Sequence, residues 1–155
     1  MHGMKNGYTG LRIRGVSMEK DEPVVVLEDQ ATDRRFRIPV GPFEATAIIL
    51  EMEGIRPPRP LTHDLLALFF AEGGFSLDRV ELFGEPGPGA RARFSYRKGL
   101  RRYEKEVRPA DALALALRLD APVLAESAMF AGEEGGRASW RRTKIVALEE
   151  WKAQA

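Results

Sequence analysis

Two stretches of this chain begin helices in the same way, which limits the folds it can adopt. Val40-Gly41-Pro42-Phe43-Glu44-Ala45 and Val107-Arg108-Pro109-Ala110-Asp111-Ala112 each place a proline, a spacer, an acid and an alanine ahead of an apolar run. Proline suits a first helical turn because its missing N–H would have no partner there and its fixed φ is already helical. Pro42 corresponds to Pro109, Glu44 to Asp111, Ala47 to Ala114 and Leu50 to Leu117. A strand-to-helix unit used twice predicts an internal duplication with pseudo-twofold symmetry, and it brings two acids to equivalent places.

Around these units, alternation and breakers set the remaining elements. Tyr8 to Met18 reads as a strand with a bulge at Gly15; Pro23 to Glu28 and Arg35 to Val40 read as a hairpin feeding a helix from Pro42 to Glu53. The run Arg56-Pro57-Pro58-Arg59-Pro60 is a stiff extended connector, since prolines lack the helical donor and push their predecessors out of the α region. Thr62 is the expected N-cap of a helix through Ala71, whose Leu65, Leu66, Leu68, Phe69 and Phe70 predict burial on more than one side. Strands follow at Phe75 to Phe83, Ala90 to Arg97 and Arg101 to Val107, then a helix from Pro109 to Leu119, a short strand at Ala121 to Leu124, and a terminal helix over Trp140 to Trp151. Blocks of antiparallel strands and helices without strict alternation predict an α+β fold, a largely antiparallel mixed sheet with packed helices. The expected organisation is one domain over residues 1–127, with a linker and a basic, amphipathic C-terminal segment over 128–155.

Composition removes several chemistries. The 155 residues contain no cysteine, so disulfides, zinc-thiolate sites and thiol nucleophiles are excluded. Two histidines, one of them at position 2, leave little for a multi-histidine zinc site. With 24 basic and 23 acidic residues there is no global field to draw in a polyanion, so any nucleic-acid binding must be local. No apolar run approaches the roughly 18 residues that span a bilayer, and the expectation is a soluble cytoplasmic protein without a membrane partner. No organic cofactor is expected, because P-loop, dinucleotide, GxSxG and HExxH motifs are all missing.

The candidate chemistry lies in a few residues. Glu44 and Asp111 either complement two helix N-termini, for about 0.3–1 kcal/mol each, or converge on a divalent cation through oxygen ligands. His63, the one internal histidine, stands with Asp64 at a helix start, where backbone donors favour anions; the alternative is a histidine bonded to nearby backbone. Arg59 and Arg108 flank these acids, able to fork onto a phosphate or to pair with a carboxylate. Arg91, Arg93 and Arg97 fall on one face of their strand, opposite Ala92, Phe94 and Tyr96. That is the pattern of a half-solvated hairpin, and it also suits phosphate contacts.

Three blocks in this order and spacing, Val40 to Ala45, Arg59-Pro60-Leu61-Thr62-His63-Asp64-Leu65-Leu66 and Arg108 to Ala116, closely resemble the bifunctional nuclease (BFN) domain family. The resemblance runs from about Leu11 to Ala125. It implies a compact α+β domain and a nuclease hydrolysing phosphodiester bonds in DNA and RNA. Gly41, Glu44, Ala45, Arg59, Pro60, His63, Asp64, Arg108, Pro109, Asp111 and Ala112 match the family motifs, whereas Ala110 stands where the pattern usually has serine. On this reading Glu44, Asp64 and Asp111 hold Mg²⁺ or Mn²⁺, His63 is the general acid or base, and Arg59 and Arg108, with Arg93 and Arg97, contact the substrate. The rival is a non-catalytic binding or regulatory module built on a structural polar cluster at the same motifs. A homodimer is the expected assembly, twofold symmetry being commonest.

Overall fold

Two antiparallel three-strand meanders, each ending in a helix, organise the molecule. The computed structural model describes residues 7–131 and 143–154. The first meander is β1 (Tyr8–Glu19), β2 (Glu22–Asp29) and β3 (Arg35–Pro39), leading to α1 (Pro42–Met52). After the proline connector come α2 (Thr62–Glu72) and the second meander, β4 (Phe75–Gly84), β5 (Ala90–Lys98) and β6 (Arg101–Val107), leading to α3 (Pro109–Leu119). A last strand, β7 (Val123–Glu126), and a helix, α4 (Leu148–Gln154), complete the described strands and α-helices.

All seven strands form one sheet in the order β3-β2-β1-β7-β4-β5-β6. β7 joins the two meanders, antiparallel to β1 and parallel to β4. The sheet is therefore mixed and largely antiparallel, and the fold is α+β. Both proline-started helices follow an edge strand, because β3 and β6 end their meanders on opposite sides of the sheet. The likeness is one of layout; a duplicated unit remains an expectation of the sequence.

The expected bulge is present: the β1–β2 register slips between Ile13 and Gly15, and Gly15 has φ +138°. β2 is buried from Pro23 to Asp29, and its Val25 and Leu27 meet Phe36 and Ile38 of β3 and Ile48 and Ile49 of α1 in the core. α3 is the most enclosed helix, with Ala110, Ala112, Leu113, Ala114, Leu115 and Ala116 all buried. Its alanines leave no bulk between backbones, so α1 and α2 both pack closely against it.

Three expectations need correction. Thr62 is the first helical residue and Leu61 is the cap, whose N–H donates to Asp64 Oδ2 at 3.0 Å. An acid three residues on performs the task expected of the threonine. α2 is not buried on several sides: of its large apolar residues, Leu65, Leu66, Leu68 and Phe69 are exposed, and Ala67 is its buried residue. It touches the molecule along one face, on α3 and β4, and through Phe70 on Tyr96 of β5.

The terminal helix begins at Leu148, not Trp140. Thr143 to Ala147 instead have no regular secondary structure, and Val146 N–H donates to the Val16 carbonyl at 2.7 Å, a bond that draws this segment to β1. Trp140 itself, with Arg137, Arg141 and Arg142, lies outside the described residues. Leu148 belongs to the core, and Trp151 packs against it while its ring N–H donates to Thr46 Oγ1 at 2.8 Å. Among the described residues no helix is long and apolar enough to cross a membrane.

Candidate functional site

Glu44, His63 and Asp111 each occupy the first turn of a different helix. α1 and α3 lie side by side and run the same way, since Arg108 reaches Glu44 near their starts and Arg118 reaches Glu51 near their ends. The first turn of α2 rests against α3, with His63 on Asp111 and Asp64 on Arg118. Three helix starts thus meet around the arginine that caps α3.

Arg108 is the hub. Its Nε donates to Asp111 Oδ2 at 2.8 Å and a terminal nitrogen donates to Glu44 Oε1 at 3.0 Å. The other Asp111 oxygen lies 3.2 Å from His63 Nε2. The hydrogen bond to Asp111, then the charges of Asp111 and Glu44, raise the Arg108 pKa above its ordinary value. The guanidinium is nevertheless 73% exposed, whereas Glu44 and His63 are 13% and 15% exposed. A permanently charged fork at the surface thus joins the largely enclosed Glu44 to Asp111, which in turn meets the enclosed His63.

Gly41 makes this geometry possible at α1. A side-chain carbon there would stand 2.3 Å from Glu44 Oε2, so only glycine lets the carboxylate fold back over the helix start. At α3, Ala110 is buried.

Asp64 takes a different part. One oxygen accepts from Leu61 N–H and the other lies 3.1 Å from Arg118 Nε. Arg118, in turn, donates to Glu51 at 2.8 Å and is 17% exposed, tying α1, α2 and α3 together. Sequence reading missed Arg118 and Glu51. A lone arginine late in an alanine-leucine helix was the available signal, because a cation in a last turn has both the helix carbonyls and neighbouring acids to serve.

The remaining predicted residues stand apart. Arg59 is exposed in the connector, with no ion-pair partner among the described residues. Arg93 and Arg97 are on the sheet face opposite Tyr96, which meets Phe70 of α2. Arg93 pairs with the buried Glu81 at 3.0 Å and with Glu104 at 2.9 Å, and Arg97 approaches Asp78 at 3.4 Å. Burial would raise the Glu81 pKa, but hydrogen bonds from Arg79 and Arg93 and their charges outweigh it and hold the carboxyl below its usual range. Phe43, which precedes Glu44, is 87% exposed.

Glu44, Asp64 and Asp111 do not compose a metal-ligand set as they stand. Arg108 bonds an oxygen of both Glu44 and Asp111, and Asp64 is committed to Arg118 and Leu61. Among the described residues no group of three or more histidines and acids is arranged to hold an ion.

Comparison with known proteins decides the family. The bifunctional nuclease domain model matches residues 25–135, which include all three helix starts. The chain belongs to the bifunctional nuclease domain family. Two relatives from Mycobacterium tuberculosis, "Uncharacterized protein MT1877" of strain CDC 1551 and "Uncharacterized protein Rv1829" of strain H37Rv, are each 35% identical over 123 residues, covering 78% of this chain and 73% of theirs. Within this bifunctional nuclease domain the match takes in α1, α2, α3 and both Arg108 and Arg118, so the network lies wholly inside the family's extent. Family membership carries a nuclease-like or nucleic-acid-binding role for the chain.

Proposed function

We propose that this domain is a nuclease that hydrolyses phosphodiester bonds through His63, with Asp111 orienting the imidazole and Arg108 holding the phosphate. The observation that carries the reading is the chain His63–Asp111–Arg108, in which one carboxylate addresses an imidazole through one oxygen and a guanidinium through the other. A carboxylate that accepts from Nε2 fixes the tautomer and leaves Nδ1 as the basic nitrogen. Nδ1 takes a proton from the attacking water, the new P–O bond forms, and the ester P–O bond to the departing sugar breaks. The imidazolium returns its proton to that leaving oxygen. Arg108 and the converging helix starts balance the added charge on the phosphate oxygens.

The exposure of Arg108 supports a polymeric substrate, since a phosphate in a long backbone reaches a surface guanidinium without entering a closed pocket. Phe43 offers an adjacent ring face for an unpaired base. Single-stranded DNA and RNA are therefore the proposed substrates. No step runs through a metal, because the acids proposed to hold it are bonded to arginines.

A second reading has its own observation. Glu44, Asp64 and Asp111 all bond an arginine, so the cluster is satisfied without substrate and suits a binding module. Incubating the purified protein with end-labelled single-stranded DNA and RNA, beside His63→Ala and Arg108→Ala, separates the two. Cleavage lost in both variants supports the nuclease. Retention of the strands without any cleavage, abolished by Arg108→Ala alone, supports the binding module.

A further inference from the structure

α2 carries an apolar stripe on the side that faces away from the molecule. Leu61, Leu65, Leu68 and Phe69 recur at the helical spacing of i, i+4, i+7 and i+8, and they are 39%, 44%, 44% and 63% exposed. Their mean direction is opposite to Ala67, the buried residue through which α2 meets its own domain. Leu66 widens the stripe on one flank and is also exposed. A helix apolar on two opposite faces has one face too many for a single-layer contact.

The ends of the stripe say what covers it. Glu72 closes α2 at its C-terminal end, where the helix dipole is already negative and the last turn has no basic residue. It is exposed and has no ion-pair partner among the described residues. At the other end is Arg59, which is likewise exposed and unpaired among the described residues. One end therefore lacks a cation and the other can accept an acid. A second α2 laid antiparallel meets both needs at once, twice over, by symmetry.

We infer that two copies of this chain associate through α2, packed antiparallel about a twofold axis near Leu65 and Leu68. Leu65 of one copy sits against Leu68 of the other, and Glu72 lies over the second copy's helix start beside its Arg59. The contact is isologous and sets each Glu72 beside the other copy's Arg59. Its centre is free of charge, as the core of a stable homodimer interface is. This inference is independent of the nuclease reading, because His63 and Ala67 are on the other side of the helix.

Sedimentation equilibrium of the full chain tests it. The wild-type protein is expected to sediment at twice its chain mass, and Leu65→Glu/Leu68→Glu at the chain mass with an unchanged far-ultraviolet circular dichroism spectrum. The dissociation constant should rise by more than about 100-fold, since each charge is buried twice in a symmetric contact. A wild-type monomer at all concentrations, including one whose stripe binds some other protein, overturns the proposal; so does a double variant that remains dimeric. If the double variant does not fold, cysteine cross-linking decides, because the chain has no cysteine of its own. Leu65→Cys mixed with Leu68→Cys should form covalent dimers under mild oxidation far faster than Leu100→Cys, whose site is fully exposed and off the stripe. Equal rates at all three positions overturn the proposal.

Discussion

His63 Nε2 lies 3.2 Å from Asp111 Oδ1, although 48 positions separate the two residues in the chain. The contact joins the first turns of α2 and α3 and gives the histidine a carboxylate partner. His63→Ala should lower the hydrolysis rate on single-stranded RNA and DNA by about 10²–10⁴-fold, the usual worth of a positioned acid or base. Asp111→Asn should cost less, because the imidazole survives and only its orientation is lost. Initial rates with labelled strands measure both; unchanged rates in His63→Ala would remove the histidine from the mechanism.

Hydrolysis should persist in excess EDTA. Arg108 bonds both Glu44 and Asp111, so the charge that a cation would supply between them is already present as a guanidinium. A parallel assay in Mg²⁺ or Mn²⁺ checks this. Activity that appears only with metal would mean that Arg108 leaves one carboxylate in the working state.

Arg118→Met should destabilise the domain without touching His63. The side chain is 17% exposed and pairs with both Glu51 and Asp64, so its loss leaves Glu51 without its cation and Asp64 with Leu61 N–H alone. The cost should be about 1–3 kcal/mol, the penalty for orphaned polar groups, read as a lower urea midpoint at unchanged m-value. A midpoint equal to wild type would show that Asp64 is held sufficiently by Leu61 N–H.

Glu81 makes the stability depend on acid. Its folded-state pKa is depressed by Arg79 and Arg93 against the opposing effect of burial. The stabilisation is therefore fully present above the unfolded value near ~4.3 and is lost as pH falls through the lower folded value. Wild type should thus lose more stability between about pH 6 and about pH 3 than Glu81→Gln does. Urea titrations at the two acidities test the sign, and parallel losses would assign the acid sensitivity to other groups.

Gly15→Ala should loosen the C-terminal segment. The new methyl would lie 2.6 Å from Ile145 Cγ2, and φ is +138°, a region costly to any residue with a Cβ. A loss of about 1–3 kcal/mol is expected, with greater proteolytic sensitivity near Ala147. Gly54→Ala, also at positive φ but with open space around it, is the control for backbone strain alone.

Local chemistry settled much of this protein in advance. Prolines 42 and 109 mark where α1 and α3 begin, Gly15 marks the β1 bulge, and the alternation of Arg91, Arg93 and Arg97 against Phe94 and Tyr96 is realised in β5. These are properties of a few neighbouring residues, so the sequence contains them. Which helix start faces which is not local. Glu44 meets Arg108 across 64 positions and Asp64 meets Arg118 rather than the other acids, because the alanines of α3 let α1 and α2 approach it on two sides. The exposed leucines of α2 were equally illegible: an apolar helix reads as buried until the tertiary structure shows that only one of its faces has anything to pack against.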